Sequence, residues 1–193
     1  MAHEEQETLH PVPAWATQNS VIELGTSEGW GTVPASVIAE LQQCIHRYCW
    51  GFDERRLDIL SDVFTPDGVW KASVMGEVAV GPFGGRDQIL QYLSRFWRYQ
   101  RDQRRHVLSN LIVEKATANE AEAYAYLQLM GSSDSESRAE SVGLYRFTLR
   151  KVGPRWAIAV LSAGFDSPFW KMKVEDMSPR LKDLFGILDH QEA

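Results

Sequence analysis

Apolar residues Val37, Leu41, Ile45, Tyr48 and Phe52 recur every three or four positions, and Leu57, Leu60 and Phe64 resume the spacing beyond Gly51. Each set makes one stripe of an amphipathic helix. Pro34 suits a first helical turn, so the first helix is expected from there to about Trp50. Gly51 tolerates the left-handed backbone that ends helices and is read as a break. Asp53 then stands where a second helix, over about 54–64, would start, and Pro66 stops that helix. Ile89, Leu90, Leu93, Phe96 and Trp97 form the buried face of a third.

After Arg105 the period changes to extended. His106–Glu114, Glu122–Met130, Ser141–Arg150 and Arg155–Ala163 read as four strands joined by short turns, which implies an antiparallel meander. Val69–Val74 and Val78–Val80 read as an earlier hairpin turning at Gly76-Glu77. Gly81–Gly85 is glycine-rich but lacks the Lys-Ser/Thr of a phosphate loop, and is expected to turn the chain into helix three. The order predicts an α+β fold: a curved antiparallel sheet wrapped around three helices, leaving a conical pocket for a small ligand. Residues 1–33 read as an arm, with Val21–Leu24 as a short pinning strand. Residues 34–170 form the domain. Beyond an irregular stretch from Gly164 to Asp176, the tail 171–193 carries a short helix over Arg180–Leu188.

Composition narrows the function classes. The 193 residues are 44% hydrophobic and 24% charged with a formal net charge of -6, which argues against nucleic acid or an anionic membrane as partner. The local basic run Arg98, Arg101, Arg104 and Arg105 reads as a solvated helix end, where cations are favoured. No apolar run approaches the ~20 residues of a membrane span, and the amino terminus lacks a secretory pattern. The two cysteines, Cys44 and Cys49, lie five apart on different helical faces. No disulfide is expected between them, and a reducing cytoplasm fits.

The candidate chemistry centres on one imidazole. His106 opens a strand whose alternate residues are His106, Leu108, Asn110 and Ile112; histidine is the side chain best suited to take and return a proton near neutral pH. Its bland alternative is a strand-end residue in water. Asp53 can be a carboxylate partner or an ordinary helix N-cap, and Tyr48 a core residue whose hydroxyl still needs a partner. On one straight helix Tyr48 and Asp53 would point about 140° apart, so a kink at Gly51 is expected to turn both into one space. His46 and Cys49 have i, i+3 spacing but no second ligand pair, so no metal site is expected. Gly-x-Ser-x-Gly is absent, which removes serine hydrolase chemistry.

Tyr48 with Asp53 five positions later, the run Leu57–Gly68, Gly84–Ile89, His106–Asn110 and Arg155–Ile158 together resemble the SnoaL-like branch of the nuclear transport factor 2-like superfamily, over about residues 35–166. That fold hosts dehydratases, dehydrochlorinases, isomerases, cyclases, epoxide hydrolases and non-catalytic binders. The pair Asp53 and His106 is similar to the Asp–His pair of scytalone dehydratase, hexachlorocyclohexane dehydrochlorinase and bile-acid 7α-dehydratase; the last also has a tyrosine five residues before its aspartate. Phe52 stands where scytalone dehydratase has a tyrosine, and Trp70 lies near the position of its second one.

The resemblance implies a cofactor-independent lyase eliminating water from a hydrophobic, cyclic small molecule of steroid or polyketide type. His106 would be the base, Asp53 its orienting partner and Tyr48 a hydrogen-bond donor. Trp70, Asn110 and Tyr145 are expected as pocket walls and Asp166 at the mouth. An isomerase or cyclase in the same pocket, or a non-catalytic binder like the small subunits of ring-hydroxylating dioxygenases, are the alternatives. A homodimer or homotrimer is expected, because one face of such a sheet needs covering.

Overall fold

The computed structural model describes residues 32–75 and 78–167. The expected arm up to residue 31, the expected turn at Gly76-Glu77 and the expected tail helix over 180–188 lie outside the described residues. In chain order the elements are α1 (Ala35–Asp53), α2 (Leu57–Val63), β1 (Phe64–Val74), β2 (Val78–Gly84), α3 (Arg86–Tyr99), β3 (Gln103–Ala116), β4 (Glu120–Ser133), β5 (Glu136–Val152) and β6 (Arg155–Phe165).

The stripe of α1 packs as its spacing requires. Leu41, Ile45 and Tyr48 are buried, and Val37 and Phe52 are partly buried against the same core. Gly51, however, does not end the helix, which runs on through Asp53. A Cβ at Gly51 would stand 3.0 Å from the Leu60 side chain and 3.1 Å from the Leu60 backbone nitrogen. Glycine is there so that α2 can lie against the backbone of α1. The left-handed residue of the corner is Arg55, with φ 55°, and its neighbour Arg56 closes the turn by donating to the Gly51 carbonyl at 2.7 Å. Asp53 therefore caps nothing: α2 starts at Leu57, and its N-cap, Arg56, makes no side-chain cap.

The sheet order is β2-β1-β6-β5-β4-β3. Strands β3 to β6 form the antiparallel meander their short connections dictate. One pairing departs from an all-antiparallel sheet. β1 runs parallel to β6, as the helical connections before and after the first hairpin permit, so the sheet is mixed; β2 and β3 are its edges and it does not close. Gly81–Gly84 belong to β2 rather than to a turn. Gly85, at φ 88° and the N-cap of α3, turns the chain into that helix, and Arg86 then anchors the start of α3 by donating to the Phe64 carbonyl at 2.6 and 3.1 Å.

One sheet face packs on the helices. Tyr145, Phe147 and Leu149 of β5 and Leu127 of β4 are at most 2% exposed there, each large apolar side chain contributing roughly 1.5–3 kcal/mol by burial. Strand β3 holds a break that sequence alternation does not show. Its register shifts between Ser109 and Ile112, and Asn110 sits at φ 53°. A bulge inserts one residue and exchanges the two faces beyond it. Leu111 and Val113, not Ile112, therefore pack against the core, and Ile112 is 41% exposed.

Candidate active site

Asp53 ends α1 and His106 lies near the start of β3, so the helix terminus and the sheet edge meet. One carboxylate holds both the backbone and the ring of the histidine. His106 N–H donates to Asp53 Oδ2 at 2.8 Å, and Nδ1 lies 2.6 Å from Oδ1. The two side chains are 3% and 7% exposed. With a carboxylate as partner Nδ1 carries the proton, a tautomer assigned from that contact, which leaves the Nε2 lone pair available. Gln103, three residues earlier, donates from Nε2 to the Asp53 carbonyl at 3.1 Å and fixes the helix end against the strand. Nothing in the sequence pattern marks Gln103 for this task.

No kink was needed to bring Tyr48 to the same place. His106 stands off the end of α1, and the Tyr48 ring, about one and a half turns earlier, meets its side at 5.9 Å between centroids. Phe52 meets the imidazole edge-on at 5.2 Å and Tyr145 lies at 6.1 Å. The imidazole is thus walled by aromatic rings. Trp70 Nε1–H donates to the Tyr48 oxygen at 3.4 Å, and the Tyr145 ring meets that of Tyr48 edge-on at 6.2 Å between centroids. Burial, above all other causes, pushes both phenols above the ordinary tyrosine range. They stay protonated, and each remains a donor.

Five of the expected residues, Tyr48, Asp53, Trp70, His106 and Tyr145, fall in one cluster. Asn110 does not. It is exposed on the bulge, because the strand alternation that would have turned it toward the helices is lost there. Asp166 bonds through its N–H to the Val142 carbonyl, and burial raises its carboxyl; it does not reach the pair. Arg104 belongs to no solvated helix end. It lies in β3, 2.6 Å from Asp102 and 3.4 Å from Glu140.

Cys44 and Cys49 are free and buried, burial pushing the Cys44 thiol up to about 12. His46 is exposed while Cys49 is buried, so those two do not converge. Among the described residues no three His, Cys, Asp or Glu side chains are grouped to hold a metal. A separate cleft of about 390 Å³, lined by Glu40, Cys44, Arg47, Asp62, Arg155 and Trp156 among others, flanks α1 away from His106. No helix among the described residues is long and apolar enough to cross a membrane.

Comparison with known proteins supports the architecture. A protein from Catenulispora acidiphila, solved in complex with S-DNPA, is 25% identical with a TM-score of 0.60, covering 69% of this chain and 96% of its own. A nuclear transport factor 2-like protein with a cystatin-like fold from Novosphingobium aromaticivorans is 19% identical with a TM-score of 0.56, covering 80% and 98%. The beta subunit of a putative aromatic-ring-hydroxylating dioxygenase from the same organism has the same fold at 13% identity and a TM-score of 0.61, covering 80% and 100%. No curated protein matches the chain. The family model described as SnoaL-like domain matches residues 34–162, and this chain belongs to that family.

Proposed function

We propose that this chain is a lyase that eliminates water from a hydrophobic, cyclic small molecule by proton transfer at the Asp53–His106 pair. The observation that carries the reading is the double contact of one buried carboxylate with His106. It engages both Asp53 oxygens, fixes the ring, and leaves Nε2 as the free basic atom.

In the proposed reaction, His106 Nε2 takes a proton from a carbon next to a carbonyl. The C–H electron pair moves into the carbonyl, whose oxygen becomes an enolate. Asp53 stabilises the imidazolium that forms, as the carboxylate of a hydrolase triad does. Tyr48 stabilises the enolate oxygen by donating to it. The carbonyl then re-forms, the electron pair makes a carbon–carbon double bond, and the bond to the hydroxyl two carbons from the carbonyl breaks. His106 Nε2–H gives its proton to that departing hydroxyl. The products are an unsaturated carbonyl compound and water, and the histidine ends as it began. The reaction needs only proton transfer and charge stabilisation.

The aromatic walls Phe52, Trp70 and Tyr145 suit a flat, apolar ring system. Incubation with cyclic β-hydroxy ketones, followed by mass spectrometry, tests the reading. Loss of one water from the substrate supports elimination. An isomer of unchanged mass assigns the same pair to an isomerase or cyclase, where the proton returns to the substrate.

A further inference from the structure

A second concave site lies away from His106, where α1 meets the end of α2 and the start of β6. Glu40, Cys44 and Arg47 recur on α1 at the spacing that puts side chains on one helix face. That face, with Asp62 and Val63 of α2 and Pro154 to Trp156, borders a cleft of about 390 Å³, the size of a small-ligand site. The floor is apolar: Cys44, Val63 and Trp156 are each at most 7% exposed. The rim is charged, and its two ends differ. At one end Glu40 is matched, because Trp156 Nε1–H donates to its Oε2 at 2.9 Å and Lys151 Nζ stands 3.8 Å from the same oxygen. At the other end a single oxygen of Asp62 faces two guanidiniums. Arg155 Nη1 donates to Oδ2 at 3.4 Å, and Arg47 Nη2 lies 3.6 Å from that same atom. Among the described residues neither arginine meets a second carboxylate. One negative charge therefore serves two positive ones, and most N–H donors of the two guanidinium forks are left for water or a ligand.

We propose that this cleft binds a small monocarboxylate with an apolar body, its carboxylate held between Arg47 and Arg155 and its hydrocarbon part laid on Cys44, Val63 and Trp156. The unmatched positive charge sets one negative charge on the ligand; a second would face Asp62 and Glu40 across the same cleft. Arginine suits the task, because its planar fork meets a carboxylate with two parallel N–H donors. The side chains of Arg47 and Arg155 are 39% and 63% exposed, so water screens the attraction and the apolar floor supplies much of the affinity. No residue of this cleft takes part in the proton transfer at His106, so the site stands whether or not the chain is a lyase.

Isothermal titration calorimetry of the full chain with 2-naphthoate, and with the neutral 2-naphthamide, tests the assignment. The naphthoate is expected to bind, and the amide to bind about 10-fold more weakly for want of charge-assisted hydrogen bonds. Arg47→Gln and, separately, Arg155→Gln are expected to weaken naphthoate binding about 3- to 10-fold, between the worth of an exposed ion pair and that of a charge-assisted hydrogen bond. Asp62→Asn is expected to do the opposite and tighten it about 3-fold, because both guanidiniums lose their competing carboxylate. A merely structural role for Asp62 gives no such gain. Circular dichroism identifies any variant that fails to fold, and the ratio of naphthoate to naphthamide affinity in the wild type is independent of every variant. Equal affinity for the two probes, no naphthoate binding, folded arginine variants that bind as the wild type does, or an Asp62→Asn protein that binds no more tightly would each overturn the site. Inorganic phosphate that displaces the naphthoate at equal concentration would overturn its assignment to a monocarboxylate.

Discussion

At the scale of single residues, the pair Asp53 and His106 carries the functional argument. Removing the base, as in His106→Ala, or the negative charge, as in Asp53→Asn, is expected to lower turnover by roughly 10²–10⁴-fold, the usual worth of a positioned acid–base group. Far-ultraviolet dichroism should stay that of the parent. Wild-type turnover in either folded variant would remove the pair from the mechanism. How the two residues come to be read from sequence is instructive. They are 53 positions apart, and no spacing rule joins them; only the resemblance of several short motifs did. Asn110 shows the opposite case. Strict alternation from His106 would place it facing the helices, but one residue with positive φ shifts the register, and nothing in the side chains of Ser109-Asn110-Leu111 announces a bulge rather than a regular strand.

At the scale of elements, the corner between α1 and α2 sets where Asp53 stands. The helices were legible because their apolar stripes are long and regular; the corner was not, because glycine serves two different needs. A break requires its left-handed backbone, whereas this corner requires only its missing Cβ, and the left-handed position falls on Arg55. Gly51→Ala separates the two. Alanine would favour the helix by about 1 kcal/mol, yet its Cβ would press on the backbone nitrogen of Leu60 at 3.1 Å, which α2 cannot yield without moving as a unit. Overpacking of that kind costs about 1–3 kcal/mol, so a lower melting temperature is expected, with reduced turnover because Asp53 follows two residues later. A melting temperature equal to or above wild type would show that α2 slides freely.

The same helix supplies a pH-dependent expectation. Burial pushes the Cys44 thiol from 9.0 to about 12, so the fold holds the proton more tightly than the unfolded chain does. Its contribution to stability is complete below pH 9.0 and is lost as pH rises toward about 12. Native protein at pH 8 should therefore resist iodoacetamide at Cys44, and denaturant should expose it to labelling, both read by intact mass. Rapid labelling of the native chain would contradict the burial of this helix face.

At the scale of the whole molecule, the layout of three helices and a meander followed from period changes along the chain, while the parallel contact of β1 with β6 did not. Parallel pairing joins segments about 90 residues apart, such as Trp70 with Leu161, and leaves no local trace in either. The sheet also has a second face, turned from the helices, and there Val107, Tyr126 and Val142 are 45%, 56% and 40% exposed. They are neighbours: Val107 and Val142 both pair with Gln128, and Tyr126 lies two residues before it on the same strand face. Beside them Glu122 bridges Lys115 at 3.0 Å and Arg146 at 2.7 Å, so the face carries both charge signs and can oppose its own copy across a two-fold axis. Self-association through this face is the expected outcome, seen as a concentration-dependent mass in sedimentation equilibrium. Tyr126→Glu places a charge amid the apolar cluster, far from His106 in function, and should yield monomers that keep their turnover per chain. A variant that associates as the parent does would place the contact elsewhere. A wild-type chain that stays monomeric at high concentration would leave these three side chains facing water.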